Sequence, residues 1–233
     1  MSQDPKTKPP SQAEKYLNMQ VVASLVQPWH FMLVACSYIP STLTHLCATS
    51  SLSSLLSWDA FQSAWFSRFW AWAGPRIREG NGPRITALLE GRVTGGQEVE
   101  EVVGDPISGV VLDIGPGLGY WVDLYAQTDV PLKNEDGSMR RREGKGKGIT
   151  KVYGVEPNGQ SHSGLRQRAN AAGLESVYEI LPVGIEDIAK ETGVQKGSVD
   201  AIVSLLCLCS IPEPEKNMKE LHSYLKPGGR WYL

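Results

Sequence analysis

The chain is poor in the residues that build most metal and redox centres. Its 233 residues contain four cysteines and four histidines. The cysteines stand at positions 36, 47, 207 and 209, and these spacings are not those of a zinc site. We therefore predict no bound metal. Unpaired thiols favour a reducing compartment, and we expect a cytoplasmic protein.

Charge of either sign is scarce in the N-terminal part of the chain. No Asp, Glu, Lys or Arg occurs from Tyr16 to Trp58. Over the whole chain the formal net charge is −2, which argues against a general nucleic-acid binder. No internal repeat and no cleavable signal pattern is present. The length fits one domain with an appendage.

Long apolar runs are missing as well. The longest stretch, 31–39, is followed by Pro40 and is shorter than the roughly twenty residues of a simple bilayer span. Residues 1–15 are polar and proline-rich, which predicts a disordered tail. Residues 16–80 are predicted to be helical, and 59–72 are dense in aromatics. A hinge is expected at 74–75 and 80–83, where Gly and Pro cluster.

Three interpretations of this N-terminal segment stay open. It can be a helical cap packed over a ligand cleft. It can lie in a membrane interface through residues 16–72, since Trp and Phe favour that depth. It can also contain a transmembrane helix.

The most informative run is Val110–Gly119, with the sequence VVLDIGPGLG. Its aliphatic start predicts a strand buried on both faces, with Asp113 at the carboxyl end. Gly115, Gly117 and Gly119 then form a GxGxG turn, and a helix is predicted from Tyr120 to Gln127. Glycine permits positive φ and close approach of a ligand to the backbone. A plain strand-to-helix turn is the alternative.

A second strand ends in another acid, Glu156, in the run KVYGVEPN. An acid at this place can accept hydrogen bonds from both hydroxyls of a ribose. The separation from the glycine turn is stretched by residues 128–150, which are polar, glycine-rich and basic. We interpret them as a flexible surface insertion, with nucleic-acid contact as the less favoured alternative.

Strands and helices alternate over the rest of the chain. Strands are predicted at 177–181, 199–206 and 230–233, and helices at 160–172 and 213–225, with a turn at 226–229. Such alternation predicts an α/β fold with a Rossmann-like, doubly wound parallel sheet. Ligands of these sheets bind at the carboxyl ends of the strands, where Asp113, Glu156 and the residues after 183 and 204 all fall.

At this point residues 108–233 resemble a class I S-adenosylmethionine-dependent methyltransferase, and we expect the cofactor-binding domain to span residues 81–233. The matching motifs are LDIGPGLG, YGVEPN, GIEDI, VDAIVSLLCLCSIPEP and YLKPGGRWYL, in that order. Within the class, the segments LCLCS and LKPGG are similar to the thiol methyltransferases of the endoplasmic reticulum. They are also similar to the ubiquinone and menaquinone C-methyltransferases.

The resemblance implies S-adenosyl-L-methionine as the cofactor and assigns a role to each matching residue. The three turn glycines would pack under the methionine part, with Asp113 orienting the turn. On the adenosine side, Glu156 would bind the ribose beside Pro157 and Asn158. Many members hold the adenine amino group with an acid where this chain has Gly184. Either Glu186 or a backbone group would take that role here, or adenine recognition would be weak. The remaining implied contacts are Ile185 at the adenine, Leu205 and Leu206 at the sulfonium end, and Cys209 and Ser210 facing the acceptor.

We expect transfer of a methyl group to a small, fairly apolar acceptor, with a thiol preferred. Alignment supplies most of the catalysis, and a thiol needs little help from a base. No catalytic residue can be named, because no His–Asp or Ser–His arrangement stands near the strand ends. The alternatives are an O-, N- or C-methyltransferase of a quinone or secondary metabolite, and a cofactor-binding but inactive subunit of a methyltransferase complex.

The resemblance also bears on the end of the chain. Class I methyltransferases have seven strands in the order 3-2-1-4-5-7-6, and the last predicted strand here is strand five. We expect that the C-terminal strands are missing, so that the chain is either a truncated form or half of an assembly in which another protein chain covers the open edge of strand five. The similarity to the reticulum enzymes favours a place on the cytosolic face of an intracellular membrane.

Overall fold

The computed structural model describes residues 12–49, 57–127, 132–133, 139–140 and 148–233. Most of the predicted disordered tail therefore lies outside the described residues, and a helix begins at Gln12, within that tail. The predicted flexible insertion also lies largely outside them.

In the described part of the chain, three helices precede the sheet: α1 (Gln12–Ser37), α2 (Ile39–Thr49) and α3 (Trp58–Leu89). The chain divides into two compact units, residues 1–69 and 70–233. In the first unit, the Trp65 indole N–H donates to the Ala35 carbonyl at 2.7 Å, which ties α3 to α1. The rings of Phe31 and Phe69 meet edge to face with centroids 6.2 Å apart.

The predicted hinge at 74–83 is wrong, because α3 continues through both prolines. Pro75 has no N–H, so the helix leaves the carbonyl of Ala71 without its usual donor. The Tyr120 hydroxyl donates to that carbonyl at 3.2 Å. A hydrogen bond from another element thus compensates for the proline, which the local sequence does not reveal.

The break predicted at Pro40 is confirmed, because α1 ends at Ser37 and α2 begins at Ile39. Pro40 is the second residue of α2, and the first turn of a helix tolerates proline because its N–H groups have no intrahelical acceptor. The apolar stretch is nevertheless longer than predicted, since residues Val21–Ala48 are long and apolar enough to cross a membrane, judged by length and composition alone.

The second unit contains a five-stranded sheet in the order β7-β6-β3-β8-β9, with every neighbouring pair parallel. Two short antiparallel hairpins lie outside this sheet. In chain order the strands are β1 (Val93–Thr94), β2 (Gln97–Glu98), β3 (Gly109–Ile114), β4 (Leu132–Lys133), β5 (Met139–Arg140), β6 (Ile149–Val155), β7 (Tyr178–Leu181), β8 (Val199–Val203) and β9 (Leu225–Tyr232).

Helices connect these strands and cover the sheet on both faces. They are α4 (Asp123–Gln127), α5 (Gly159–Ala171), α6 (Ile188–Glu191) and α7 (Pro214–Tyr224), with 3₁₀ turns at Ile185–Asp187 and Leu208–Ser210. Val111 and Leu112 are both fully buried but belong to different core clusters, because successive side chains of a strand point to opposite faces. Two covered faces and parallel strands confirm the predicted doubly wound α/β fold.

Three predicted boundaries differ from the structure. The helix after the glycine turn begins at Asp123 rather than Tyr120, because the intervening residues form i→i+3 turns such as Gly119 N–H to Pro116 O. The strand predicted to reach Leu206 ends at Val203, and the turn predicted at 226–229 lies within β9.

Strand β9 lies at one edge of the described sheet, beside β8. The chain order of the strands reverses at β3, whose neighbours are β6 on one side and β8 on the other. A crevice for ligands is expected at this point of reversal, outside the carboxyl ends of the strands. The expected protein partner over the β9 edge stays a prediction.

Candidate functional site

The glycine turn after β3 requires glycine at each of its three positions. Gly115, Gly117 and Gly119 have φ of 62°, 55° and 81°, which disfavours any residue with a Cβ. A Cβ on Gly115 would also lie 2.7 Å from the Cβ of Cys207, and one on Gly119 would lie 2.8 Å from a methyl of Leu165. The turn therefore packs closely against neighbouring elements.

Glu156 follows β6 directly and is joined to the glycine turn. Its Oε2 accepts a hydrogen bond from the Gly117 N–H at 2.8 Å, and its Oε1 accepts one from the Asn158 N–H at 2.8 Å. The side chain is buried, and burial raises the pKa of its carboxyl, while the two backbone donors lower it. Each carboxylate oxygen keeps a second acceptor position, which is what a ribose hydroxyl would need. The assignment of Glu156 to the ribose stays a prediction.

The residues after Glu156 begin helix α5. The Asn158 side-chain oxygen caps this helix by accepting from the Gln160 N–H at 3.0 Å, and Pro157 is exposed. The His162 ring nitrogen Nε2 lies 2.7 Å from the main-chain oxygen of Glu156. These contacts fix the backbone at the tip of β6, so Asn158 has a structural role whatever it contributes to a ligand.

Asp113 is the second buried acid, and it lies on the neighbouring strand. Its side chain is 5% exposed, and its Oδ2 accepts a hydrogen bond from the Tyr178 hydroxyl at 2.8 Å. Burial raises the pKa of Asp113 to about 6, although the hydrogen bond from Tyr178 and the nearby Tyr125 hydroxyl act in the opposite direction. The nearby charge of Glu156 raises it further.

The loop after β7 carries the residues predicted for the adenine. Gly184 precedes a 3₁₀ turn, and a Cβ built on it would lie 2.8 Å from the Glu186 carboxyl group. The exposed Glu186 carboxylate thus occupies the space that a side chain at 184 would use, and its predicted role at the adenine stays a prediction. Ile185 is buried in the core. Its predicted contact with adenine stays untested.

The predicted acceptor side is a loop rather than a strand end. Leu205 is half-buried, whereas Leu206 is 51% exposed with φ of 59°, a conformation that costs a non-glycine residue about 1–3 kcal/mol. Cys209 and Ser210 are exposed, with Sγ and Oγ 3.8 Å apart. Cys209 is exposed because β8 has already ended at Val203. Cys207 is buried, and burial raises the pKa of its thiol to about 12.

Sequence patterns missed three side chains that lie at this site. Tyr178 reaches Asp113 across an intervening strand, and Cys207 packs under Gly115. Trp70 lies against the glycine turn, with its indole nitrogen 3.5 Å from where a Cβ of Gly117 would be. Only Gly154, in the run VYGVE, hints at any of these contacts, since a glycine inside a strand often marks a close approach.

The electrostatics of the site favour a cationic ligand. The ion pairs of the described residues involve neither Asp113 nor Glu156, although both are buried. A buried carboxylate is costly, and a positively charged ligand would relieve that cost, as His162 does in part for Glu156. Within the part of the chain that the structure describes, no group of three His, Cys, Asp or Glu side chains could hold a metal ion.

Solved structures with some similarity include a SAM-dependent methyltransferase from Aquifex aeolicus, at 23% identity and a TM-score of 0.35 over 51% of this chain and 51% of that one. An S-adenosylmethionine-dependent methyltransferase from Mesorhizobium loti matches at 18% identity with a TM-score of 0.39, over 65% of this chain and 51% of that one. A Haloferax volcanii complex that contains the methyltransferase activator Trm112 matches at 20% identity with a TM-score of 0.41, over 69% of this chain and 57% of that one. The chain thus spans about half of the length of these structures.

No curated protein has a sequence that matches this chain. The model of a family described as a methyltransferase domain matches residues 66–233, which is more than half of the chain and includes the turn, both buried acids and the loops after β7 and β8. This match indicates S-adenosyl-L-methionine as the cofactor. The chain therefore belongs to the family of methyltransferase domains.

Proposed function

We propose that this chain transfers the methyl group of S-adenosyl-L-methionine to a small, apolar acceptor, with a thiol preferred. The observation that carries the proposal is the hydrogen bond between Glu156 and the Gly117 amide. It joins the ends of β6 and β3 at the point where the strand order reverses, where a nucleoside-containing ligand of this fold binds.

The residues present fit such a cofactor. Glycines with positive φ leave the backbone of the turn open to a ligand, and Glu156 retains acceptor positions for ribose hydroxyls. The two buried acids complement the positive ammonium and sulfonium groups of the cofactor. When bound, S-adenosyl-L-methionine supplies a methyl group that is already activated by the sulfonium charge. The protein then contributes mainly alignment and exclusion of water.

The acceptor preference follows from what the loop after β8 offers. Residues 204–211, SLLCLCSI, include no His, Asp, Glu or Lys that could act as a general base. An acceptor that ionises unaided near neutral pH is therefore favoured, and a thiol with a pKa near 8.5 does so. The exposed side chain of Leu206 supports an apolar acceptor.

We expect turnover of S-adenosyl-L-methionine, labelled with tritium in its methyl group, when the chain is given a panel of small apolar thiols. A panel of phenols of matched size should react at least tenfold more slowly, because their pKa near 10 leaves less anion at pH 7.5. Glu156→Ala serves as the control that should lose turnover. Faster transfer to phenols would overturn the thiol proposal in favour of O-methyl transfer. No transfer to any acceptor would favour the alternative that the chain is an inactive, cofactor-binding subunit.

We also propose that helix α1 associates with a membrane on the cytosolic face of an intracellular compartment. Trp29 and Leu33 are 67% and 72% exposed, and the residues around them carry no charge. The large exposed apolar side chains of α1, at positions 21, 22, 25, 26, 29, 32 and 33, lie along one face of the helix. Such an exposed apolar face is typical of contact with lipid. A helical cap is the alternative, in which another part of the protein covers this surface.

Flotation with phosphatidylcholine vesicles tests the membrane proposal. The full chain should float with the vesicles and resist extraction by high salt. The double variant Trp29→Asp, Leu33→Asp should partition at least tenfold less, since burial of each of these side chains is worth about 1.5–3 kcal/mol. Val102→Asp with Val103→Asp, at exposed apolar positions of the second unit, is the matched control and should float like the unaltered chain. Failure of the unaltered chain to float would support the cap.

A further inference from the structure

A buried tyrosine reaches the cofactor site from two strands away. Tyr178 begins β7, whereas Asp113 lies on β3, and β6 runs between them. The Tyr178 hydroxyl donates to the Asp113 carboxylate at 2.8 Å, and both side chains are buried. A tyrosine must therefore cross the middle strand to make this bond.

Gly154 makes the crossing possible. It is the register partner of Asp113 on β6, directly between the two strands. A Cβ on Gly154 would lie 2.5 Å from the Tyr178 hydroxyl oxygen and 2.7–2.8 Å from two of its ring carbons. Any side chain at 154 would force the hydroxyl away from the carboxylate. The missing side chain of Gly154 thus leaves a recess, which the ring and hydroxyl of Tyr178 occupy.

The same carboxylate is held from the other side. The ring of Tyr125 packs near that of Tyr178, with centroids 6.4 Å apart, and its hydroxyl interacts with Asp113. Asp113 stands two residues before Gly115, the first glycine of the turn, so its position sets where the turn leaves the sheet. The other charged or titratable groups that act on Asp113 are Glu156 and Cys207.

We propose that Tyr178 is a positioning residue for the cofactor site: through the recess at Gly154 it holds the Asp113 carboxylate and, with it, the glycine turn. This inference rests on the proposed function. It adds a residue that acts through Asp113 and has no contact of its own with the reaction.

The test is Tyr178→Phe, which removes the hydroxyl and keeps the ring. Calorimetry with S-adenosylhomocysteine should show about tenfold weaker binding, the loss expected for one hydrogen bond to a charged group. The melting temperature, measured without ligand, should change with pH as Asp113 ionises. In the variant the pH midpoint of this change should lie about one unit higher, because the lost hydroxyl favours the ionised form of Asp113. Gly154→Ala should give the same two changes with the hydroxyl still present.

Tyr224→Phe is the control, since Tyr224 is also fully buried but lies in the opposite core cluster. This variant should change neither the pH midpoint of the melting-temperature profile nor the affinity for S-adenosylhomocysteine. A lower melting temperature of Tyr178→Phe with an unchanged midpoint and affinity would make Tyr178 a packing residue and overturn the inference. If the unaltered chain does not bind S-adenosylhomocysteine, the proposed function fails, whereas the ligand-free midpoint still decides whether Tyr178 controls Asp113.

Discussion

Glu156→Ala is expected to weaken the binding of S-adenosylhomocysteine by about 10- to 100-fold, equivalent to roughly 1.5–3 kcal/mol. The carboxylate accepts hydrogen bonds from the amides of Gly117 and Asn158, so its loss releases the glycine turn from the end of β6. The substitution also removes the acceptors proposed for the ribose hydroxyls. Both effects lower the affinity, and isothermal calorimetry measures their sum.

The matched control for this prediction is Glu179→Ala. Glu179 lies on β7, pairs with Lys151 at 2.7 Å, and has a half-exposed side chain away from the turn. It should leave the dissociation constant within a factor of two. An unchanged dissociation constant in Glu156→Ala would remove Glu156 from the site and with it the main support for the proposed function.

Asp113→Asn is expected to make the protein more stable at pH 7.5 while weakening cofactor binding. The folded-state pKa of Asp113 is about 6, above its ordinary value of 3.8, because the carboxyl is buried. The folded protein therefore binds this proton more tightly than the unfolded chain does. The stabilisation from this group is present below pH 3.8 and is lost as the pH rises through 6, a total of about 3 kcal/mol in the free energy of unfolding.

Asparagine has nearly the same shape and cannot ionise. The free energy of unfolding of Asp113→Asn, from urea titrations, should match that of the unaltered chain near pH 4 and exceed it by up to about 3 kcal/mol above pH 6.5. Glu156 titrates in both proteins, so its own contribution largely cancels, whereas its repulsion of the Asp113 carboxylate is absent from the variant and forms part of the difference. Such a gain in stability with a loss of binding is typical of a residue kept for function.

Asp105→Asn, at an exposed carboxylate paired with Arg230, controls for the loss of one negative charge. It should show no pH-dependent gain of this size. Equal free energies of unfolding for Asp113→Asn and the unaltered chain at every pH would mean that burial does not disfavour the ionised form of Asp113. The argument that the buried acids favour a cationic ligand would then be wrong.

The local sequence around the glycine turn determined most of the sheet. Aliphatic runs ending in Asp113, Glu156 and the loop at Gly184 predicted three strands and the edge at which their acids lie, and the structure places them so. These predictions succeeded because strand burial, positive φ at glycine and the parallel arrangement of alternating elements all depend on a few neighbouring residues.

One prediction that depended on proline was wrong. The sequence around Pro75 indicates a break, yet helix α3 contains this residue. The carbonyl of Ala71, which lacks its usual donor because of Pro75, accepts a hydrogen bond from the Tyr120 hydroxyl, forty-nine positions further along the chain. Only the packing of the two segments supplies that bond, so local propensity could not foresee it.

The sequence by itself determined the fold class, the glycine turn and the two acids at neighbouring strand ends, because each follows from short patterns of size, burial and backbone freedom. The tertiary structure alone decided that Glu156 holds the Gly117 amide and that Tyr178 crosses Gly154 to reach Asp113. These contacts join residues 39 and 65 positions apart. The register of three parallel strands brings them together, and register is a property of the folded sheet rather than of any one segment.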